Sequence, residues 1–236
     1  MAAKVPILTY HKISPVNSKS IYPGTFVPPA LFEKHLRFLS RKGYQTIRLD
    51  SLFSVSMPSQ PIVLTFDDGF QDFEDAAFPL MQKFGMNGTV FLVSDFIGKD
   101  NGWDVAIGDV GYPLMSADSV RKLASQGVEF GSHTRRHRRL TEVSGQEQED
   151  EIVGSRRLLE LDLGLSIDTF CYPYGGYNES SVAWAREAGY KFATSCEKGL
   201  NDGSEDPLLL KRIAIRNDTS LPVFIYKLWR AFRFGR

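Results

Sequence analysis

From Val5 to Ile215 the chain repeats one pattern, a short apolar run followed by an amphipathic stretch and then another apolar run. Units of strand and helix wound around a parallel sheet produce this alternation, because a strand covered on both faces reads as an unbroken apolar run. The runs predicted as strands are 5–10, 44–49, 62–66, 88–93, 128–131, 169–172, 192–194 and 209–215. Their alternation with amphipathic stretches predicts an α/β fold, βα units around a parallel sheet or barrel. A chain of 236 residues that is 42% hydrophobic is long enough to close such a barrel as one domain, 1–236.

The stretches between the runs carry helix start and stop signals. Residues 29–42 open on prolines and stop before Gly43, with Leu31, Phe32, His35, Leu36 and Leu39 on one face and His35 at its edge. Residues 116–126 begin with Ser-Ala-Asp-Ser and close at Gly127; residues 178–188 lead into Gly189. Residues 144–163 read as a long acidic helix whose run "EQEDE" is a solvated first turn. The longest unassigned loop is 97–113, rich in glycine and carrying Trp103, and loops of that length often serve function. Residues 219–236 predict an amphipathic C-terminal helix. Phe224, Ile225, Leu228, Trp229 and Phe232 form an apolar stripe on it, and Lys227, Arg230, Arg233 and Arg236 supply positive charge. Two readings stay open: the helix packs on the barrel, or it attaches peripherally to an anionic membrane surface.

Charge and cysteine content narrow the partners. The 28 basic residues balance the 28 acidic ones, so no global field draws the molecule to nucleic acid and any basic preference must be local. Cys171 and Cys196 make no disulfide framework, and reduced thiols are expected. The opening "MAAKVPILTYHKIS" lacks a long apolar core with a cleavage site, and no stretch reaches membrane-spanning length. The expected address is therefore cytoplasmic and, on the second reading of the last helix, peripheral to the inner face of the membrane; nothing in the sequence speaks to oligomeric state.

The chemistry-bearing residues stand at strand ends. In "PIVLTFDDGF" two carboxylates, Asp67 and Asp68, follow an apolar run directly. Neighbouring side chains of a strand point to opposite sides, so both can serve one site only if the backbone turns there, which Gly69 permits. The end of a barrel strand is the usual place for catalysis. Taken alone, Asp-Asp-Gly is also a common turn. In "EFGSHTRRHRRL", His133 ends another run and His137 comes four residues later, a spacing that one helical turn would bring to one face. Two imidazoles and a carboxylate from another strand suit a divalent metal ion, zinc first, with positions left for water and substrate. The competing reading is a basic surface turn built on Arg135, Arg136, Arg138 and Arg139.

Together "TFDDGF", "SHTRRH" and "FCYPYGGY", in this order, resemble the polysaccharide deacetylases of carbohydrate esterase family 4 over residues 62–215. The resemblance implies a distorted (β/α)7-8 barrel and metal-dependent hydrolysis of an N-acetyl group from an amino sugar within a saccharide. It makes Asp67 the general base and Asp68, His133 and His137 the metal ligands, and it assigns the backbone N–H of Tyr174 to the oxyanion. Two departures stand out. Cys171 occupies the place of the family's usual arginine, and no histidine occurs after His137 to match the late Leu-x-His whose histidine is the general acid. Arg212, in the last apolar run, either turns inward to pair with Asp67 or is an ordinary surface arginine. A subgroup that includes exopolysaccharide deacetylases begins, as this chain does in "ILTYHKI", with a Tyr-His on the first strand. In a closed barrel the first strand lies beside the last, so His11 can fill the acid's place.

Trp103 and Tyr174 are the first choices for stacking on a sugar, ahead of Tyr112, Tyr177 and Trp184. Two alternatives to the N-acetylated saccharide substrate remain: another amide, such as a small cyclic amide or a formamido sugar, or a carbohydrate-binding relative without catalysis.

Overall fold

In the computed structural model, which describes residues 4–54 and 56–235, all eight apolar runs form strands. They are β1 (Ile7–Tyr10), β2 (Gln45–Thr46), β3 (Pro61–Phe66), β4 (Thr89–Leu92), β5 (Glu129–Ser132), β6 (Thr169–Cys171), β7 (Phe192–Lys198) and β8 (Leu210–Ala214). Pairing is parallel throughout and runs β1-β8-β7-β6-β5-β4-β3, then closes where β1 pairs with β3, Ile7 opposite Val63 through Tyr10 opposite Phe66. The barrel therefore has seven strands. β2 stands outside the ring, because one edge of β3 belongs to β1 and the other is shared. Its start, Pro61 and Ile62, pairs with β2; its end, Thr65 and Phe66, pairs with β4. That division is why the 44–49 run contributes only two strand residues.

Alternate residues of each strand face the barrel interior or the surrounding helices. Ile7, Val63, Phe91, Cys171 and Leu210 pack inside, while Leu8, Tyr10, Leu64 and Phe66 pack outward. The interior is tight enough that a Cβ on Gly131 would lie 2.5 Å from Thr169 Oγ1 and 2.7 Å from the Phe91 ring. Near the start of β5, the buried Glu129 carboxylate accepts hydrogen bonds from the Leu49 N–H at 2.6 Å, the Thr89 hydroxyl at 2.7 Å and the Thr169 hydroxyl at 2.9 Å. It ties the turn after β2 to β4 and β6, and burial raises its pKa to about 7.

The helices are α1 (Pro29–Arg41), α2 (Phe78–Lys83), α3 (Gly102–Val105), α4 (Ala117–Ser125), α5 (Gly145–Glu149), α6 (Ser155–Leu163), α7 (Glu179–Glu187) and α8 (Leu221–Phe234). α1, α4 and α7 match the sequence signals, with Ser116 and Asn178 capping α4 and α7. α2 was hidden by Pro79. A widened turn, Phe73–Ala77, precedes it and absorbs the proline's missing N–H, which breaks the periodicity a reader looks for. A second widened turn, Asp150–Gly154, joins α5 to α6 within the 144–163 stretch. His35 is not at the edge of a packed face but wholly buried, its ring stacked on Phe224 of α8 at 4.2 Å. The C-terminal stripe splits: Phe224 and Leu228 face the barrel, while Ile225, Trp229 and Phe232 stay 38%, 54% and 39% exposed. Arg236 lies outside the described residues.

Candidate active site

The C-terminal ends of β1, β3, β5, β6 and β8 bring the chemistry-bearing residues to one rim. Asp67 leaves β3 with its backbone N–H bonded to Tyr10 O at 3.0 Å. The chain then turns through two left-handed residues, Asp68 (φ 77°) and Gly69 (φ 77°). The turn aims both carboxylates into one cavity, as the Asp-Asp-Gly sequence requires. At Gly69 a side chain would also meet Leu92 Cδ2 at 2.7 Å.

His133 and His137 converge by a different route from the helical turn expected of their spacing. No helix forms there; Thr134 (φ 68°) and His137 (φ 57°) are left-handed, and the loop is held from outside. Glu151, 1% exposed, accepts from the backbone N–H of Arg135 at 3.0 Å and of Arg136 at 2.8 Å, and from Arg136 Nε at 2.8 Å. Arg135 also pairs with Asp95 at 3.1 Å and Asp150 at 2.6 Å. The end of the "EQEDE" run, Asp150 and Glu151, is thus a brace for the histidine loop, a role its charge pattern does not reveal, while Glu147 and Glu149 are exposed as the solvated-turn reading expects. Left-handed non-glycine residues cost on the order of 1–2 kcal/mol each. Four of the five in the described residues, Asp68, Thr134, His137 and Tyr174, belong to this rim.

Three ligand atoms meet. Nε2 of His133 and of His137 lie 3.5 and 3.3 Å from Asp68 Oδ1, and that oxygen is buried and accepts no hydrogen bond. His133 Nδ1 sits 2.7 Å from the Cys171 carbonyl, so it carries the proton and Nε2 presents its lone pair inward. Electron-pair donors facing one another in a buried place call for a cation among them, and the set fits a divalent ion. Burial works against ionisation of Asp68, but His137, His11 and His133 around it hold its pKa far below the carboxylate range. Asp67, His133 and Cys171 also converge. That set is a poorer one, since Asp67 is engaged elsewhere and burial pushes the Cys171 thiol well up, keeping its proton.

Asp67 is engaged by Arg212. The guanidinium, 2% exposed, grips both carboxylate oxygens at 2.7 and 2.9 Å and donates besides to Ser195 O at 2.9 Å. Burial would raise the Asp67 pKa, yet Arg212, with His11 and His133, brings it below the ordinary value. Of the two readings of Arg212, the inward one holds. Cys171, where the family has its arginine, touches this pair: its Sγ lies 3.1 Å from Arg212 Nη2.

His11 follows β1, and its Nε2 stands 3.9 Å from Asp67 Oδ2. It lines the cavity that Asp67, Asp68, His133 and His137 line. Burial lowers its pKa, opposed by Asp67 and Asp68, which favours the neutral ring. The ring of Trp103, on α3, lies 4.8 Å from the His137 ring, and that of Tyr174 lies 4.7 Å from it. Tyr112, Tyr177 and Trp184 do not line this cavity.

Sequence reasoning passed over several residues here. Lys12, 2% exposed, has its ammonium over the Phe70 ring at 3.9 Å and lines the cavity, as do Tyr22, Thr25, Asp104 and Cys196. Lys12 and Asp104 each adjoin a residue that was singled out, but neighbours in sequence usually point apart, so the signal was weak.

A parallel seven-strand barrel with titratable groups gathered at the C-terminal rim has the architecture of a (β/α)-barrel enzyme. The family model described as polysaccharide deacetylase matches residues 54–193, and the chain belongs to that family. It is 30% identical over 218 residues, 90% of this chain and 72% of the relative, to YxkH of Bacillus subtilis (strain 168), a protein named as a polysaccharide deacetylase. It is 20% identical over 248 residues, 95% of this chain and 82% of the relative, to the poly-beta-1,6-N-acetyl-D-glucosamine N-deacetylase of Staphylococcus aureus (strain MSSA476). Among solved structures, a Bacillus cereus polysaccharide deacetylase superposes with a TM-score of 0.82 at 26% identity, covering 96% of this chain and 69% of that one. A Streptococcus pyogenes deacetylase in complex with acetate does so with a TM-score of 0.81 at 24% identity, covering 96% and 99%.

Proposed function

We propose that the protein hydrolyses the N-acetyl group of an amino sugar within a polysaccharide or its saccharide precursor, releasing acetate, with a divalent ion, zinc first, held by Asp68, His133 and His137. The observation that carries the reading is the juxtaposition of two carboxylates with separate partners. Asp68 faces the Nε2 atoms of two imidazoles, whereas Asp67 faces Arg212 and His11. The ion would supply Lewis acidity, acidifying a water and polarising the acetyl carbonyl.

The chain's own groups divide the remaining work. Asp67, kept ionised and oriented by the bidentate Arg212, takes a proton from the attacking water. Arg212 therefore fills, from the last strand, the place the family gives to the residue at Cys171. His11, neutral at rest with Nε2 3.9 Å from Asp67 Oδ2, takes over the proton that Asp67 removed from water and delivers it to the departing amine. The Tyr174 N–H, in a left-handed residue of a Pro-Gly turn, is available to the developing oxyanion, and the Trp103 and Tyr174 rings flank the sugar.

The test combines metal analysis with acetate release from N-acetylated oligosaccharides. Bound zinc and acetate support the reading. Metal with a different product supports hydrolysis of another amide, and neither supports a binding protein without catalysis.

We also propose that α8 rests on an anionic membrane surface, the expectation drawn from its stripe. Support comes from Ile225, Trp229, Phe232 and Phe234, exposed beside Arg230 and Arg233. Flotation with anionic vesicles should recover the protein and lose it when Ile225, Trp229 and Phe232 are all changed to Ser. These changes leave the packed Phe224 and Leu228 in place, and equal flotation of both proteins would sink the idea.

A further inference from the structure

We infer that the cleft is built for an anionic polysaccharide, one whose sugars next to the N-acetylated unit carry carboxylate or phosphate groups. This rests on the deacetylase reading and names the substrate class of the same site. The reactive cavity, about 130 Å³, is the middle of three. On one side it continues through His11, Tyr22 and Thr25 into a space of about 300 Å³; on the other, through Trp103, His137 and Tyr174 into one of about 590 Å³. Tyr22 lines all three, so the spaces form one cleft passing across the reactive groups. Such a cleft takes a chain running through it, with sugars on both sides of the reacting one.

Both ends of the cleft are cationic. At the first end stands Arg216, which pairs with no carboxylate among the described residues. Its guanidinium lies against the wall at Gly24, where a Cβ would be 2.3 Å from Nη2. At the second end stand Arg138, also unpaired among the described residues, and Arg139, whose guanidinium covers the Tyr174 ring at 3.8 Å and reaches Glu142 only at 4.0 Å. In the middle, the buried Lys12 ammonium sits among Phe26, Phe70 and Tyr112, with no carboxylate at ion-pair distance. Of the cavity's three acids, Asp67 is neutralised by Arg212, Asp68 faces the proposed ion, and Asp104, which accepts from Asn101 Nδ2 at 3.0 Å, has its pKa raised by burial. A molecule whose charges sum to zero thus places unpaired positive charge at both ends of this cleft. Guanidinium groups bind carboxylate and phosphate through paired N–H donors, a recognition that neutral sugars do not offer.

Titration calorimetry and acetate-release kinetics with three tetrasaccharides test this: all N-acetylglucosamine, alternating glucuronate and N-acetylglucosamine, and an N-acetylglucosamine chain bearing phosphate. At least one anionic chain should bind and react at least about tenfold better than the neutral one at low salt, and the advantage should shrink toward unity near ~0.5 M NaCl as screening tightens. Arg216→Ala, and Arg138→Ala with Arg139→Ala, should each cut the anionic-to-neutral ratio several-fold, while Arg216→Lys keeps part of it. Equal binding of all three chains, or a ratio indifferent to salt and to these substitutions, overturns the inference. Equal binding with acetate released from all leaves the deacetylase reading standing alone; preferential binding of an anionic chain with no acetate from any does the reverse.

Discussion

At the scale of single residues, the site depends on which partner each charged group faces. Asp67 and Arg212 are both buried, so each is an uncompensated charge without the other. Arg212→Met should cost about 3–5 kcal/mol of folding stability. Pairing it with Asp67→Asn should cost clearly less than the sum of the two single changes, by denaturant unfolding; simple additivity would mean that the ion pair contributes nothing specific. His11 is separable from the metal ligands. His11→Ala should lower turnover by roughly 10²–10⁴-fold with bound metal unchanged, and undiminished turnover would return His11 to a structural strand end. The Asp-Asp-Gly and Ser-His motifs singled out Asp67, Asp68, His133 and His137, which the structure brings to one cavity, because each motif ends an apolar run at the same rim. Arg212 was not decided by sequence. Its run "LLLKRIAI" is apolar on both parities, and its partner is 145 positions away.

At the scale of elements, the docking of α8 on α1 depends on an uncharged histidine. His35 Nε2–H donates to Thr219 O at 2.9 Å, which leaves Nδ1 to accept from the Tyr10 hydroxyl at 3.3 Å. Burial brings its pKa down to about 4, against about 6.5 in the unfolded chain. A depressed basic group means that the unfolded state binds the extra proton between these values. Its contribution is present above pH ~6.5 and is lost as pH falls toward 4, up to ~3 kcal/mol. Glu129 and Asp72, both raised to about 7 by burial, pull the other way over part of that range. The comparison that isolates His35 is therefore with His35→Phe, and the stability advantage of the parent over that variant should shrink from pH 7 to pH 4. An advantage constant with pH would mean that the ring is already protonated or solvated. Elements with one uninterrupted period, such as α1 and α4, were legible from sequence. α2 was not, because the widened turn before Pro79 erases the 3.6-residue repeat.

At the scale of the whole molecule, a metal held by residues from β3 and the loop after β5 should stabilise the folded chain alone. Returning zinc to chelator-treated protein at about a hundredfold above its Kd should add about 2.7 kcal/mol, which is on the order of 5–10 °C in Tm for a chain of this size. Asp68→Asn should abolish the shift, since asparagine tolerates the left-handed backbone there but gives up the carboxylate. A shift that survived the substitution would place the ion elsewhere.

The sequence by itself determined the βα alternation, the parallel sheet and the strand-end reactive groups, because short-range polarity and steric preference encode these directly. Only the tertiary structure decided the rest: barrel closure of β1 on β3, which puts His11 beside Asp67; the inward turn of Arg212; and the brace of Glu151 under the histidine loop. Each joins residues far apart along the chain, and such contacts are set by how the whole barrel packs, not by any local run of residues.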